Sequence, residues 1–290
     1  MRGGLLRASE SFVRVRVSPL AALAFACAAL AVLLTLGTKP ASSATLQPDA
    51  STHAVPERWQ PQPGLSWQWQ LSGRVDTSFD VEVYDVDAVE VPASTVEGLQ
   101  ADGSRVVCYI SAGSWEKWRP DASDFPASVR GRNLDGWPGE KWLDIRKVQT
   151  LRPIMERRMD VCAQKGFDAV EPDNVDGYAN RSGFPLTYAQ QLTYNRMLAE
   201  EAHERGLAIA LKNDTAQVED LVGDFDFAVV EECFQYRECG EYSPFVEAGK
   251  AVFATEYNTK NLATKCQRAA TLDFSLIFKR YDLDAWRRAC

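Results

Sequence analysis

The residues able to do chemistry in this 290-residue chain are chiefly carboxylates. Two histidines exist, His53 in a proline-containing stretch and His203 in a helical pattern reading AEEAHERG. His203 reads as a solvated surface residue, so a Ser-His-Asp or Cys-His device and a multi-histidine zinc site lack candidates. No metal or other cofactor is implied, and no glycine fingerprint for a dinucleotide or nucleoside triphosphate is present. What stands out is Gly166 to Tyr178, GFDAVEPDNVDGY. Phe167, Ala169, Val170 and Pro172 read as a short buried strand, and Asn174, Asp176 and Gly177 as the turn that ends it. Side chains alternate along a strand, so Glu171 and Asp173 share one face while Val170 and Pro172 take the other. Two acids facing one way at a strand end are costly unless solvated, paired or used. The bland reading is a polar strand end or an incidental cation loop, since carboxylates are common at turns.

Seven further short apolar runs repeat this arrangement: Trp67 to Leu71, Val81 to Tyr84, Arg105 to Ile110, Leu207 to Leu211, Phe227 to Val230, Ala251 to Thr255 and Phe274 to Phe278. Nearly all end in polar residues. Helical patterns lie between them: Gln149 to Lys165, a helix opened by a Thr187/Gln190 capping box and stopped by Gly206, and the shorter Ala216 to Val222 and Leu262 to Leu272. Alternating strands and helices imply a parallel sheet with right-handed crossovers, and eight strands close it into a (β/α)8 TIM barrel. About eight residues separate the first two strands, so the first β/α unit is abbreviated. An open doubly wound sheet is the structural alternative.

In a closed barrel the C-terminal strand ends carry the active site. They would collect Asp85, Asp87, Glu171, Asp173, Glu231, Glu232 and Glu256, with Lys212, Asn213 and the aromatics Trp67, Tyr109, Trp115, Tyr178 and Tyr257. Acids beside aromatic faces suit a sugar cleft, and glycoside hydrolysis needs two carboxyl groups. Strand parity supports Asp173 and leaves Glu231 and Glu232 open as its partner.

Tryptophan-glutamine at the first strand, CYISAGSWE at the third, GFDAVEPDNVDGY at the fourth, then LKND, VVEEC and ATEYN resemble the glycoside hydrolase family 114 barrels, the endo-α-1,4-polygalactosaminidases. The resemblance runs in order from about Trp67 to Lys279. It implies a retaining endo-hydrolase of α-1,4-linked galactosamine polymers, often partly N-acetylated, with Asp173 as nucleophile and Glu232 as general acid/base. Trp67, Asp87, Tyr109, Glu171, Asn174, Tyr178, Lys212, Glu231, Glu256 and Tyr257 are the expected substrate-binding residues. Asp87, Glu171 or Glu256 would hold a sugar ammonium. Asp173 is expected to be kept ionised by hydrogen bonds from its turn, Asn174 among the donors, and Glu232 to hold its proton in a drier wall. A non-catalytic barrel that binds an amino-sugar polymer, or a hydrolase of another exported glycan, are the alternatives.

Arg2, Arg7, Arg14 and Arg16 precede an uncharged run from Leu20 to Leu36, followed by small residues from Ala41 to Ala44. Residues 1 to 44 thus read as a secretory signal or an uncleaved N-terminal anchor, residues 45 to 64 as a linker with four prolines, and residues 65 to 290 as the catalytic barrel. The protein is expected outside the cell or at the outer membrane face, as a monomer, touching membrane only through that segment. Without residues 1 to 44, 27 bases and 39 acids remain and the formal charge moves from −8 to −12. So acidic a domain is a poor nucleic-acid binder and suits a cationic polysaccharide. Six cysteines remain, an even number that favours disulfides in an exported chain. The expected pairs are Cys233 with Cys239, Cys266 with Cys290 and, by remainder, Cys108 with Cys162.

Overall fold

The computed structural model describes residues 58–290. The expected signal or anchor, most of the linker and His53 lie outside the described residues. The chain runs β1 (Trp67–Gln70), β2 (Val83–Asp87), α1 (Ala93–Ala101), β3 (Arg105–Ser111), β4 (Ser114–Glu116), β5 (Arg130–Asn133), β6 (Glu140–Leu143) and α2 (Val148–Gln164). It continues through β7 (Ala169–Asp173), α3 (Tyr188–Glu204), β8 (Ala208–Lys212), α4 (Val218–Leu221) and β9 (Phe227–Glu231). Then come α5 (Cys233–Tyr236), α6 (Ser243–Glu247), β10 (Val252–Glu256), α7 (Leu262–Leu272), β11 (Ser275–Phe278) and β12 (Arg288–Ala289).

Strands β1, β2, β3, β7, β8, β9, β10 and β11 are parallel neighbours in that order, and β12 adds to β11 antiparallel. This is a (β/α)8 barrel, with all eight strands where the apolar runs place them. Period-two alternation sets its two layers. One residue set, including Tyr84, Val86, Val106, Cys108, Val170, Ile209 and Val230, packs outward on the helices. The other fills the barrel, where Trp67, Trp69, Phe227 and Phe253 are complemented by Ala169, Ala208 and Ala210. Large side chains from one arc meet small ones from the other, which lets the interior fill and close. The Trp67 and Phe253 rings lie 5.1 Å apart. Trp67 is therefore core rather than a sugar platform.

Closure between β1 and β11 uses side chains and the C-terminal segment. Trp67 Nε1 donates to Ser275 O at 2.9 Å, and Arg287 Nε donates to Trp67 O at 2.8 Å. Leu71 N donates to Leu283 O at 3.0 Å, and Lys279 Nζ bridges Gln68 Oε1 and the Asp284 carbonyl. No helix separates β1 from β2, as the short spacing requires. The capping box on α3 forms in both directions, with Gln190 N on Thr187 Oγ1 and Thr187 N on Gln190 Oε1.

Two expectations change. Residues 58 to 64, read as linker, pack on the barrel: Arg58 and Gln60 donate to Asp226, Trp59 meets Phe227, and Ala251 N donates to Pro61 O. His203 is not freely solvated either, because its Nε2 lies 2.9 Å from Asp226 Oδ2. The segment between β3 and α2 also carries an additional antiparallel sheet in the order β4-β6-β5.

Disulfides join Cys108 to Cys162, Cys233 to Cys239 and Cys266 to Cys290, the expected pairing. The first links β3 to α2 across a separation of 54 residues, and the third ties β12 to α7. Chain-entropy reasoning makes the longest loop the most stabilising. The double replacement Cys108→Ser/Cys162→Ser is expected to cost about 2 to 4 kcal/mol, more than Cys233→Ser/Cys239→Ser, whose loop spans 6 residues. Denaturant unfolding of the two variants checks the ranking; equal losses would refute it.

Candidate active site

The inward-facing ends of β7, β8 and β9 converge on one ammonium. Lys212, 1% exposed, places Nζ 2.8 Å from Glu171 Oε1, 3.0 Å from Asp173 Oδ1 and 3.4 Å from Glu231 Oε2. Its Nζ also lies 4.6 Å from the Trp69 ring centroid. Burial opposes the Lys212 charge, yet Asp173, Glu171 and Glu231 together drive its pKa well above the ordinary lysine value.

Donors hold each carboxylate in place. Asp173 accepts from Tyr109 Oη at 2.8 Å and from the Asn174 N–H at 2.8 Å, so the expected turn donor is present as a backbone group. Burial and the adjacent Asp173 push the Tyr109 pKa well up, which keeps it a donor. Glu231 accepts from Tyr257 Oη and from Asn213 Nδ2 at 3.2 Å, and pairs with Lys212 at 3.4 Å. Asn213 Oδ1 in turn accepts from the Glu231 N–H. Burial, then Glu231, raises the Tyr257 pKa, so this phenol also keeps its proton.

Asp173, Asn174, Asp176, Tyr109, Lys212, Asn213, Glu231 and Tyr257 line a cleft of about 800 Å³. The β4-β6-β5 sheet forms one wall and contributes Glu140 and Trp142, with Trp118 and Trp137 from its loops, both 49% exposed. Stacked rings of Tyr257 and Tyr281, 4.2 Å apart, form another. Asp87 reaches the cleft but is tied to Arg119, which also pairs with Glu116. Burial pushes the Glu140 carboxyl up to about 7, and its recorded donor is Ser114 Oγ at 2.8 Å. Asp176 rises to about 6, chiefly through burial.

Other expected residues lie elsewhere. Glu171 is 0% exposed and sits beneath the floor, with Oε2 accepting from Trp69 Nε1 at 3.1 Å, so substrate does not reach it. Glu256 is equally buried, taken up by the Phe234 N–H and Lys265. Trp115 is occupied by Ala122 O and lies under Arg130. Glu232 and Tyr178 line an adjoining groove of about 500 Å³, which shares Asn213, Glu231, Tyr257 and Tyr281 with the cleft. The reason for Glu232 is local: Phe227, Val229 and Glu231 keep the inward parity, and Glu232 leaves the strand with φ 55. Its carboxylate accepts from Gln235 and Tyr281 rather than standing in a dry wall. Asp214 lines the same groove, its carboxyl raised to about 8 by burial and then by Asp176. Strand-end analysis misses Trp118, Trp137, Glu140 and Tyr281, because they come from loops and the added sheet. The tryptophan-rich stretch between β3 and α2 is the signal that could have flagged three of them.

A barrel with two donor-held carboxylates flanking one buried ammonium, in an aromatic-walled cleft, defines the class: a carboxylate glycosidase. The sequence profile of glycoside-hydrolase family GH114 matches residues 48–290, and the chain belongs to that family. It is a glycoside hydrolase. Among solved structures, Aspergillus fumigatus Ega3 in complex with galactosamine is 40% identical, with TM-score 0.77 over 80% of this chain and 97% of that one. The glycoside hydrolase domain of PelA from Pseudomonas aeruginosa shares the fold at 14% identity, with TM-score 0.63 over 78% of this chain and 98% of that one. No curated protein matches the chain.

Two predictions follow from the geometry. A Cβ at Gly113 would sit 1.7 Å from the Asn174 carbonyl oxygen, so Gly113→Ala must displace the turn behind Asp173. It is expected to lower kcat at least about tenfold while the barrel's circular dichroism persists; wild-type kcat would contradict this tight fit. The raised Glu140 carboxyl binds its proton more tightly folded than unfolded. Its contribution to stability is thus present at low pH and lost as pH rises from its ordinary 4.5 through about 7. Glu140→Gln is expected to lose this dependence, so its Tm relative to wild type rises across that window. A constant difference would contradict it.

Proposed function

We propose that the protein is a retaining endo-glycosidase of α-1,4-linked galactosamine polymers, with Asp173 as nucleophile and Glu231, in place of the expected Glu232, as general acid/base. The observation that carries this reading is the shared Lys212 contact of Asp173 and Glu231. Nearest oxygens on one ammonium cannot be further apart than the sum of 3.0 and 3.4 Å. That falls short of the about 6.5 Å at which room for an inverting water begins.

In the first step Asp173 attacks the anomeric carbon while Glu231 protonates the leaving glycosidic oxygen. Once Asp173 carries the glycosyl group its charge is gone, and Lys212 is left to pair with Glu171 and Glu231. That suits Glu231 to deprotonate the water that releases the sugar. Tyr109 and the Asn174 N–H keep Asp173 aimed at the cleft. Trp118, Trp137, Tyr257 and Tyr281 offer faces for pyranose stacking. Glu140 and Asp176 line the cleft without a salt-bridge partner among the described residues, which favours a substrate carrying ammonium groups. The galactosamine bound by Ega3 supports that substrate class, as does the acidic balance of the chain.

Export supports the same reading: three disulfides fit an oxidising compartment, and the N-terminal segment serves as its signal or anchor. Among the described residues no helix is long and apolar enough to cross a membrane. The catalytic domain acts as a monomer.

Reducing-end release from partly deacetylated α-1,4-galactosamine polymer tests the roles. Asp173→Asn and Glu231→Gln are each expected to lose roughly a thousandfold in kcat, and Glu232→Gln to stay within about fivefold of wild type. Loss in Glu232→Gln with activity kept in Glu231→Gln would reverse the assignment. A folded wild-type enzyme that releases nothing would refute the substrate.

A further inference from the structure

Beneath the cleft floor, Asp85 on β2 points into the barrel at 1% exposure, and neither of its carboxyl oxygens meets an N–H or O–H donor. The group it faces at hydrogen-bonding range is the Glu171 carboxyl. Two carboxylates cannot bond to each other unless one carries a proton. Glu171 has its oxygens taken by two donors, Trp69 Nε1 and Lys212 Nζ, whereas Asp85 has none. The proton therefore belongs on Asp85.

Charge counting leads to the same place. The groups acting on Asp85 are Glu171 and Asp173 from β7 and Lys212 from β8. Leaving Glu231 aside, an ionised Asp85 would join Glu171 and Asp173 to make three buried or half-buried negative charges around one positive. One fewer is far less costly at this depth.

We propose that Asp85 is a permanently protonated carboxylic acid that donates to Glu171 and acts as a positioning residue for the active site. By holding Glu171 on Lys212 without adding charge, it leaves the ammonium available to Asp173 and Glu231. Burial, and next the Glu171 charge, hold the Asp85 carboxyl well above the usual aspartate range, in keeping with this role. Asp85 itself touches neither substrate nor reacting atoms.

The role is that of a neutral donor, so an amide can replace it and an apolar side chain cannot. Asp85→Asn is expected to keep kcat within about threefold, with the pH limbs of kcat unmoved. Asp85→Val is expected to lower kcat about thirtyfold or more with little change in KM. Without its donor Glu171 takes up protons more readily, so in this variant the acid limb of kcat moves to higher pH. Equal damage in a folded Asp85→Asn protein would show that the carboxylate charge is required and would overturn the proposal. Wild-type kinetics in Asp85→Val would overturn it as well.

The kinetic arm rests on the Asp173 and Glu231 reading; a spectroscopic arm stands apart from it. The infrared difference spectrum of wild type minus Asp85→Asn at pH 7 is expected to contain the C=O band of a protonated carboxylic acid. A band of ionised carboxylate in its place would overturn the proposal whether or not the enzyme cleaves galactosamine polymer.

Discussion

A single ammonium, Lys212 on β8, held in the barrel by carboxylates from the two flanking strands β7 and β9, is the interaction on which the site depends. Glu171 fixes it from below, and Asp173 and Glu231 meet it from the cleft. Removing one partner of a buried ion pair costs about 3 to 5 kcal/mol, because the remaining charges lose their compensation. The arrangement survives because the other lone pairs are also met: Trp69 and Tyr109 donate from one side, Asn213 and Tyr257 from the other. The chemistry and the stability of the barrel mouth therefore rest on the same charges.

The surrounding fold serves this cluster. Large aromatics on β1, β9 and β10 fill the lower barrel against alanines on β7 and β8, which leaves the upper level for polar groups. The third strand is clamped to Asp173 itself, since Ala112 N and Gly113 N both donate to the Asp173 carbonyl, at 2.9 and 3.0 Å. Gly113 permits that approach as no other residue would. The Cys108–Cys162 bridge anchors β3 to the helix that leads into β7, so the strands carrying Tyr109 and Asp173 are joined covalently as well as by their ladder.

The barrel was legible because its signal is periodic: eight apolar runs with polar C-terminal ends, separated by helical patterns, have few other solutions. Parity along β7 likewise marked Glu171 and Asp173 as facing one way, and they do. Parity does not report depth. Glu171 lies one layer below Asp173 and is sealed there, and Trp67 lies deeper still. At the end of β9 the same rule favours Glu231, following Phe227 and Val229, but whether the backbone stays extended through Glu232 depends on a left-handed turn that tertiary contacts decide. The cleft wall was less legible. The β4-β6-β5 sheet is built from strands of three or four residues, too short for a periodic signature, and Trp118, Trp137 and Tyr281 are brought in by loops.

In the proposed mechanism Asp173 forms a covalent bond with the sugar while Glu231 serves it as acid and base. The most direct measurement is mass spectrometry of the Glu231→Gln enzyme quenched during reaction with a galactosamine donor carrying an activated leaving group, which needs no acid catalysis to enter the first step. A glycosyl adduct is expected to accumulate and to map to the peptide bearing Asp173. An adduct on another residue, or turnover without any adduct and with inverted anomeric configuration in the first product, would contradict it.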